Sequence, residues 1–360
     1  MFVALRDLRS ARGRFALMTL VVVLITALVV LLSGLTAGLG RENTSAIDGL
    51  NADRLAFSDT DGGISFGASS VREQTWQDWA RQPGVDSASP LGIAMTRLGA
   101  DGRTAGAAAF GIDPAGPLAP DGARPAPGSV VLSRPLADDL HVTTGDTIAL
   151  GPTGNVRVGA VVSGASFSHA PVVWTALSDW QPLMPGPRAP EGLQATVVAL
   201  DLGKGADLAA GDTALHTDTV TKSDARTAIG SYTSENGSLQ LMRGFLFAIS
   251  ALVIGAFFTV WTVQRSGDIA VLKALGASTG YLVRDALGQA AVVLAAGTAV
   301  GTGIAAIGGR IAENTVPFVI DAGTTVLPAA IMIALGLAGA ALAVRRVTSV
   351  DPLIALGSAR

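Results

Sequence analysis

Long runs without a charged residue interrupt the sequence at four places. They are Phe15–Gly40, Gly244–Gln264, Ala286–Gly309 and Ala322–Val344. A helix that crosses a bilayer needs about 20 mostly apolar residues. Buried helices of soluble proteins rarely stay uncharged over such a length. The pattern therefore predicts four transmembrane helices.

The segment between the first two runs has the mixed patterning of a soluble domain. Short β-like runs alternate there with turn clusters and amphipathic pieces. The predicted strands are Gly128–Leu132, Asp146–Leu150, Val156–Val162 and Gln194–Leu200. The predicted helices lie around Ser70–Arg81, Arg134–Leu140 and Asp218–Ile229.

The distribution of lysine and arginine predicts the topology. Residues 1–14, 265–285 and 345–360 together hold ten basic and four acidic residues, whereas Leu39–Leu239 holds 13 basic and 22 acidic residues. Basic residues concentrate on the cytoplasmic side of a membrane. We therefore predict an α-helical integral membrane protein of the cell membrane, with four transmembrane helices, cytoplasmic N- and C-termini, and a large extracytoplasmic α+β domain between the first two helices.

These patterns divide the chain into nine segments. They are an amphipathic cytoplasmic helix (1–14), the first transmembrane helix (15–40), the extracytoplasmic domain (41–239), the second transmembrane helix (240–264), a cytoplasmic segment (265–285), the third transmembrane helix (286–309), a short external loop (310–321), the fourth transmembrane helix (322–344) and a cytoplasmic tail (345–360).

Composition narrows the function. Hydrophobic residues make up 49% of the chain and charged residues 15%, and there is no cysteine. Disulfides, thiolate metal sites and catalytic thiols are thereby excluded. His141, His169 and His216 lack the spacing of a zinc helix, and the sequence contains neither a G-x-S-x-G elbow nor a P-loop. We predict a non-catalytic protein without a metal site, and nothing indicates a nucleic-acid partner.

Three stretches resemble the MacB/FtsX-like family of ABC transporter permeases. They are Pro127–Leu140 with the turn and strand that follow it, Gln264–Ser278, and the tail Arg345–Leu356. The compact external domain is most similar to the haem-export (HrtB-like) branch. The resemblance implies a homodimer with two copies of a separate ABC ATPase, which binds ATP and Mg. It also implies export of a hydrophobic or amphipathic substrate from the membrane, with haem favoured as the transported ligand and no intrinsic cofactor.

Two alternatives stay open at this point. The substrate of such an exporter could instead be a lipoprotein, a peptide or a drug. An FtsX-like protein would use ATP hydrolysis for transmembrane signalling or mechanotransmission to an external partner. Both classes share the topology and the docking of the ATPase.

A short apolar helix is predicted directly after the second transmembrane run. Breakers at Ser266–Gly267 and the carboxylate of Asp268 precede apolar positions at three-residue spacing. Such a helix could insert into a groove of the ATPase or rest on lipid headgroups. The residues assigned to ATPase docking are Asp268, Ile269, Val271, Leu272, Lys273 and Leu275.

Residues near the outer end of the second run have the chemistry to bind haem. Haem needs an axial ligand, apolar walls and a cation for its propionates. The alternative is that Arg243 anchors the helix by snorkelling and that Glu235 and His169 are solvated surface residues. The candidate residues are Tyr232, Glu235, Leu239, Met242, Arg243, Phe245 and His169.

Two glycines in the first run are spaced for close helix packing. Gly34 and Gly38 lie four residues apart, as do Gly297 and Gly301. Small residues at this spacing let two helix backbones approach closely in a membrane. We predict that Gly34 and Gly38 form the dimer seam.

Overall fold

A computed structural model describes residues 12–60, 62–184, 192–264, 267, 271, 275–313 and 316–348. The chain divides into two compact units. The membrane unit comprises Met1–Gly38 and Gly237–Arg360, and the α/β unit comprises Leu39–Asn236. In the described ranges the helices are α1 (Arg12–Asp48), α2 (Glu73–Trp79), α3 (Arg134–Leu140), α4 (Leu177–Trp180), α5 (Leu208–Leu215), α6 (Lys222–Ala225), α7 (Tyr232–Gln264), α8 (Thr279–Ala312) and α9 (Ala322–Thr348).

Four of these helices, α1, α7, α8 and α9, are long and apolar enough to cross a membrane. This confirms the predicted number of transmembrane helices. Each helix is at least as long as the uncharged run that predicted it. α1 continues past Gly40 to Asp48, and α7 begins at Tyr232.

Small residues bring the helices of the membrane unit together. A Cβ at Gly301 of α8 would lie 2.6 Å from the carbonyl oxygen of Val23 in α1, and one at Gly339 of α9 would lie 3.1 Å from the Cα of Gly255 in α7. Around these contacts, buried side chains from all four helices form one apolar cluster. The close approach predicted for Gly297 and Gly301 is thus made to α1.

The strands of the α/β unit form one large sheet and a two-stranded ribbon. The strands are β1 (Arg54–Ser58), β2 (Val71–Arg72), β3 (Val85–Ala100), β4 (Arg103–Ile112), β5 (Ser129–Ser133), β6 (Thr147–Leu150), β7 (Gly154–Val162), β8 (Ser166–Phe167), β9 (Ala170–Ala176), β10 (Gln194–Ala195), β11 (Val197–Leu202) and β12 (Thr217–Thr221). The order in the large sheet is β12-β1-β11-β3-β4-β9-β5-β7-β6, and β8 pairs with β9. Because β6 also pairs with the far end of β3, six strands close into a ring.

Each face of the sheet carries its own apolar core. One core contains the fully buried Trp79 and Trp180. The other contains a chain of phenylalanines, in which Phe66 contacts Phe57 and Phe167 with ring centroids 4.9 Å and 5.3 Å apart. A domain buried on both faces agrees with the predicted fold class.

One predicted helix is wrong in its first half. Residues 217–221 form β12, which pairs antiparallel with β1, and the helix proper covers only Lys222–Ala225, followed by a 3-10 turn. The run Thr-Asp-Thr-Val-Thr is rich in β-branched residues, which favour a strand once a partner strand is present. The predicted N-terminal helix (1–14) and the short helix predicted after Ser266–Gly267 lie largely outside the described residues. The predicted strand Gln194–Leu200 is divided between β10 and β11, and the other strands and helices predicted in the α/β unit appear at their expected places, with ends shifted by a few residues.

Candidate functional site

The β8–β9 hairpin places His169 against the end of α1. Ser168 and His169 form the hairpin tip and both have left-handed backbones, with φ of 50° and 62°. Their N–H groups donate to the carbonyl oxygens of Asn43 (3.0 Å) and Glu42 (3.3 Å) in α1. Ser166 N also donates to Ser45 Oγ at 2.9 Å. The strained tip is therefore held in place by α1.

His169 lies between two carboxylates. Its Nε2 is 2.8 Å from Glu235 Oε2 in the first turn of α7, and its Nδ1 is 3.8 Å from Glu42 Oε2. Asn43 Nδ2 donates to the same oxygen of Glu235 at 3.1 Å. We call Glu42, Asn43, His169 and Glu235 the His169 cluster. The structure thus brings together two of the residues assigned to haem binding, 66 positions apart in the sequence.

The chemistry of the His169 cluster suits an iron ligand. If Nε2 carries the proton that is donated to Glu235, Nδ1 keeps its lone pair. A carboxylate that holds one nitrogen of a histidine while the other nitrogen binds a metal is a common arrangement in metalloproteins. The His169 side chain is 33% exposed and therefore reachable. Beside it, Asn43 Oδ1 is buried and accepts no hydrogen bond in the described part of the chain.

A second polar cluster lies one turn further along α1. Arg226 Nε donates to Asp48 Oδ1 at 2.8 Å, and Thr44 Oγ1 donates to Asp48 Oδ2 at 2.8 Å. Lys222 Nζ donates to the carbonyl oxygens of Asp48 (3.2 Å) and Leu50 (2.7 Å). We call Thr44, Asp48, Lys222 and Arg226 the Asp48 cluster. The hydrogen bond with Asp48 raises the pKa of Arg226 against the opposing effect of burial.

The remaining haem candidates lie along α7. Tyr232 is its first residue and packs against the phenylalanine core of the α/β unit. Leu239, Met242, Arg243 and Phe245 belong to the membrane unit, where Met242 and Phe245 are 51% and 60% exposed and Arg243 is half-buried. Arg243 forms no ion pair with another described residue.

The structure describes two of the six residues assigned to ATPase docking. Asp268, Ile269, Leu272 and Lys273 lie outside the described residues. Val271 and Leu275 are described, and both are largely exposed. Their docking role stays a prediction.

Gly34 and Gly38, which were assigned to a dimer seam, have close neighbours within the same chain. A Cβ at Gly34 would collide with the ring of Phe318, and one at Gly38 would collide with the carbonyl group of Pro317. Val319 N also donates to Gly34 O at 3.1 Å. The glycine face is therefore covered by the segment before α9 of the same chain. The spacing correctly indicated a close approach, which is made to this segment of the same chain, and the dimer seam stays a prediction.

Two histidines have a structural role that the sequence did not indicate. His141 and His216 follow α3 and α5 as left-handed C-caps, with φ of 57° and 53°. Glycine or asparagine usually takes this position, because a left-handed backbone strains most side chains. Within the described ranges no group of three or more histidine, cysteine, aspartate or glutamate residues has an arrangement that could hold a metal ion by itself.

Comparisons with known proteins identify the family. The model of the MacB-like periplasmic core domain matches residues 15–217, and the model of the FtsX-like permease C-terminal matches residues 241–352. The chain is 24% identical over 363 residues to the putative hemin transport system permease protein HrtB of Staphylococcus haemolyticus, covering 99% of both chains. It is 26% identical over 370 residues to an uncharacterized ABC transporter permease of Mycobacterium tuberculosis (strain ATCC 25618 / H37Rv), again covering 99% of both.

Two solved structures are similar to the α/β unit. The periplasmic region of MacB from Actinobacillus actinomycetemcomitans matches with a TM-score of 0.36 and 12% identity, over 51% of this chain and 95% of that one. The extracellular domain of the ABC-type transporter YknZ from Gram-positive bacteria matches with a TM-score of 0.33 and 12% identity, over 46% and 88%.

The family models agree with the four apolar helices and with the large domain between the first two of them. This organisation makes the chain a multi-pass membrane protein with a large extracellular domain, and a permease of this type requires a partner ATPase. The chain belongs to the MacB/FtsX-like family of ABC transporter permeases.

Proposed function

We propose that the chain is the permease of a haem exporter. It forms a homodimer, its N- and C-termini are cytoplasmic, and two copies of an ABC ATPase bind its cytoplasmic side. The basic 1–14, 265–285 and 345–360 segments support this orientation, because basic loops stay in the cytoplasm. The full-length similarity to a putative hemin transport permease supports haem as the substrate.

The contact between His169 and Glu235 is the observation that carries the substrate proposal. His169 Nδ1 binds the haem iron, while Glu235 holds the ring through Nε2 at 2.8 Å. Histidine is a common axial ligand of haem iron. Glu42, whose carboxylate is 3.8 Å from Nδ1, gives way when the iron enters.

The test is haem binding to the full-length protein in lipid nanodiscs, followed by the Soret band. His169→Asn should weaken haem binding at least about tenfold and shift the band, since it removes the ligand but keeps a residue that tolerates a left-handed backbone. His141→Asn is the matched control, because it makes the same change at another left-handed position and should leave affinity and spectrum unaltered.

Two further outcomes distinguish an error in the proposed ligand, His169, from an error in the proposed substrate, haem. If His169→Asn binds haem like the parent protein, His169 is not the ligand. If the parent protein binds no haem and its loss does not sensitise cells to haem, the substrate is wrong. The family assignment then leaves an exporter of another amphipathic substrate or an FtsX-like signalling protein.

A further inference from the structure

The Asp48 cluster joins two helices through groups that are distant in sequence. Asp48 ends α1, whereas Arg226 and Lys222 precede α7. Both helices continue from these ends into apolar stretches long enough to cross a membrane. A contact here therefore fixes the end of one such helix relative to the start of the other.

The cluster uses two independent interactions on one helical turn. Arg226 binds the Asp48 carboxylate from the side, and Lys222 binds the carbonyl oxygens of Asp48 and Leu50 at the helix end. A cation at a helix C-terminus satisfies free carbonyl groups and interacts favourably with the helix dipole. With two attachment points, the α6 segment can neither slide along α1 nor rotate about a single ion pair.

The connection from Arg226 to α7 is short and has two buried residues at its centre. Ala228 and Ile229 are almost fully buried in the phenylalanine core, and Tyr232 N donates to Ile229 O at 3.0 Å. The first turn of α7 is therefore fixed relative to Arg226.

Stability alone does not account for this arrangement. The side chains of Arg226 and Asp48 are 36% and 35% exposed. An ion pair with this much contact with solvent contributes little to the free energy of unfolding. Its main effect is to select one relative position of the two helices.

We propose that Asp48, Lys222 and Arg226 form a positioning element that couples ATP hydrolysis to export by holding the ends of α1 and α7 in fixed register. This inference rests on the function as an ABC permease. The element moves the start of α7 together with the end of α1 when the ATPase drives the membrane helices, so that the substrate site at the start of α7 changes with each cycle.

The test uses full-length permease reconstituted with its ATPase. The double variant R226Q/K222Q should keep its yield with the ATPase and its ATP hydrolysis. The amount of haem exported per ATP should fall about fivefold or more, the low end for coupling between two sites. The charge swap D48R/R226D should recover part of the ratio. R81Q is the matched control, because Arg81 forms an exposed ion pair with Asp78 elsewhere in the same unit.

A second readout does not need haem. The chain has no cysteine, so spin labels can be placed at R41C in α1 and T233C in α7, both exposed. The parent protein should give one narrow distance distribution with and without ATP, and R226Q/K222Q should broaden it. An unchanged distribution or an unchanged export ratio in that variant would overturn the positioning role. If the parent protein gives the narrow distance distribution but exports no haem, the proposed substrate is wrong and the positioning role is not.

Discussion

Glycines contact different kinds of neighbour in the two units of the chain: an aromatic side chain in the α/β unit and helix backbone in the membrane unit. In the α/β unit, Gly92 and Gly111 face each other on β3 and β4, and the ring of Trp180 lies across both. In the membrane unit, Gly301 meets the backbone of α1 and Gly255 meets Gly339. Burial of a large aromatic side chain is favourable in water. Lipid offers no such gain, and helices there associate through close backbone contact.

The largest difference between the units should be one of accessibility. If the α/β unit is outside and the 265–285 segment inside, a membrane-impermeant maleimide will label T104C in intact cells and will leave L275C unlabelled. Both positions are exposed, and the parent chain has no cysteine. After the cells are opened, both should react. Labelling of L275C but not of T104C in intact cells would show that the topology is the reverse of the one predicted.

Among substitutions, the strongest effect is expected at the backbone contact between α1 and α8. Gly301→Leu would force side-chain atoms into the carbonyl of Val23, and backbone cannot yield easily. We expect a cost of about 3 kcal/mol, the upper end for overpacking. A Cβ at Gly303, two residues along the same helix, would meet no atom within 4 Å, so Gly303→Leu should be tolerated. Thermal unfolding in nanodiscs measures the difference, and equal melting temperatures would mean that α1 and α8 do not pack through Gly301.

A smaller effect is expected where a glycine faces a side chain. Gly111→Ala collides with Trp180, which can shift only within a filled core, so we expect a loss of about 1–3 kcal/mol. Gly106→Ala on the same strand meets nothing within 4 Å. Urea unfolding followed by tryptophan fluorescence reports on this unit, since four of the five tryptophans belong to it. If Gly111→Ala leaves the free energy of unfolding unchanged, the ring of Trp180 does not lie against Gly111.

The smallest difference between the two units is expected when a buried threonine hydroxyl is removed from each of them. Thr196 Oγ1 accepts from the buried N–H of Ile93 at 2.7 Å, so Thr196→Val leaves a donor unpaired and should cost about 1–3 kcal/mol. Thr262 Oγ1 in α7 donates to Phe258 O at 2.6 Å, and that carbonyl group already belongs to the helix. Thr262→Val should therefore cost less than about 1 kcal/mol. The same unfolding assays give both values, and a reversed order would contradict the packing described for Thr196.

The four membrane helices were predictable because bilayer thickness dictates their length. Residues such as Phe15–Gly40 carry this signal without reference to the rest of the fold. β12 was not predictable in the same way, since Thr217–Thr221 becomes a strand only through pairing with β1. The neighbour of Gly34 could be predicted only in part. Glycine spacing indicates a close neighbour, and only the folded chain identifies it as Phe318.

The candidate site could be predicted residue by residue but not as an arrangement. Glu235 and His169 stand out in sequence as polar residues with ligand chemistry. Their contact depends on a two-residue hairpin tip with left-handed backbones, for which Ser168 and His169 give no sequence signal. The Asp48 cluster was missed because Asp48 lies beyond the apolar run that marked the first helix, so α1 was not expected to reach it.

ATP-driven haem movement in proteoliposomes tests the central claim most directly. The permease is reconstituted with its ATPase, haem is loaded into the bilayer, and its transfer to an acceptor protein on the side of the α/β unit is followed by absorbance. We expect transfer that requires ATP and the ATPase and that falls strongly in His169→Asn but not in His141→Asn. Transfer at the same rate without ATP, or no transfer by the intact complex, would contradict the account.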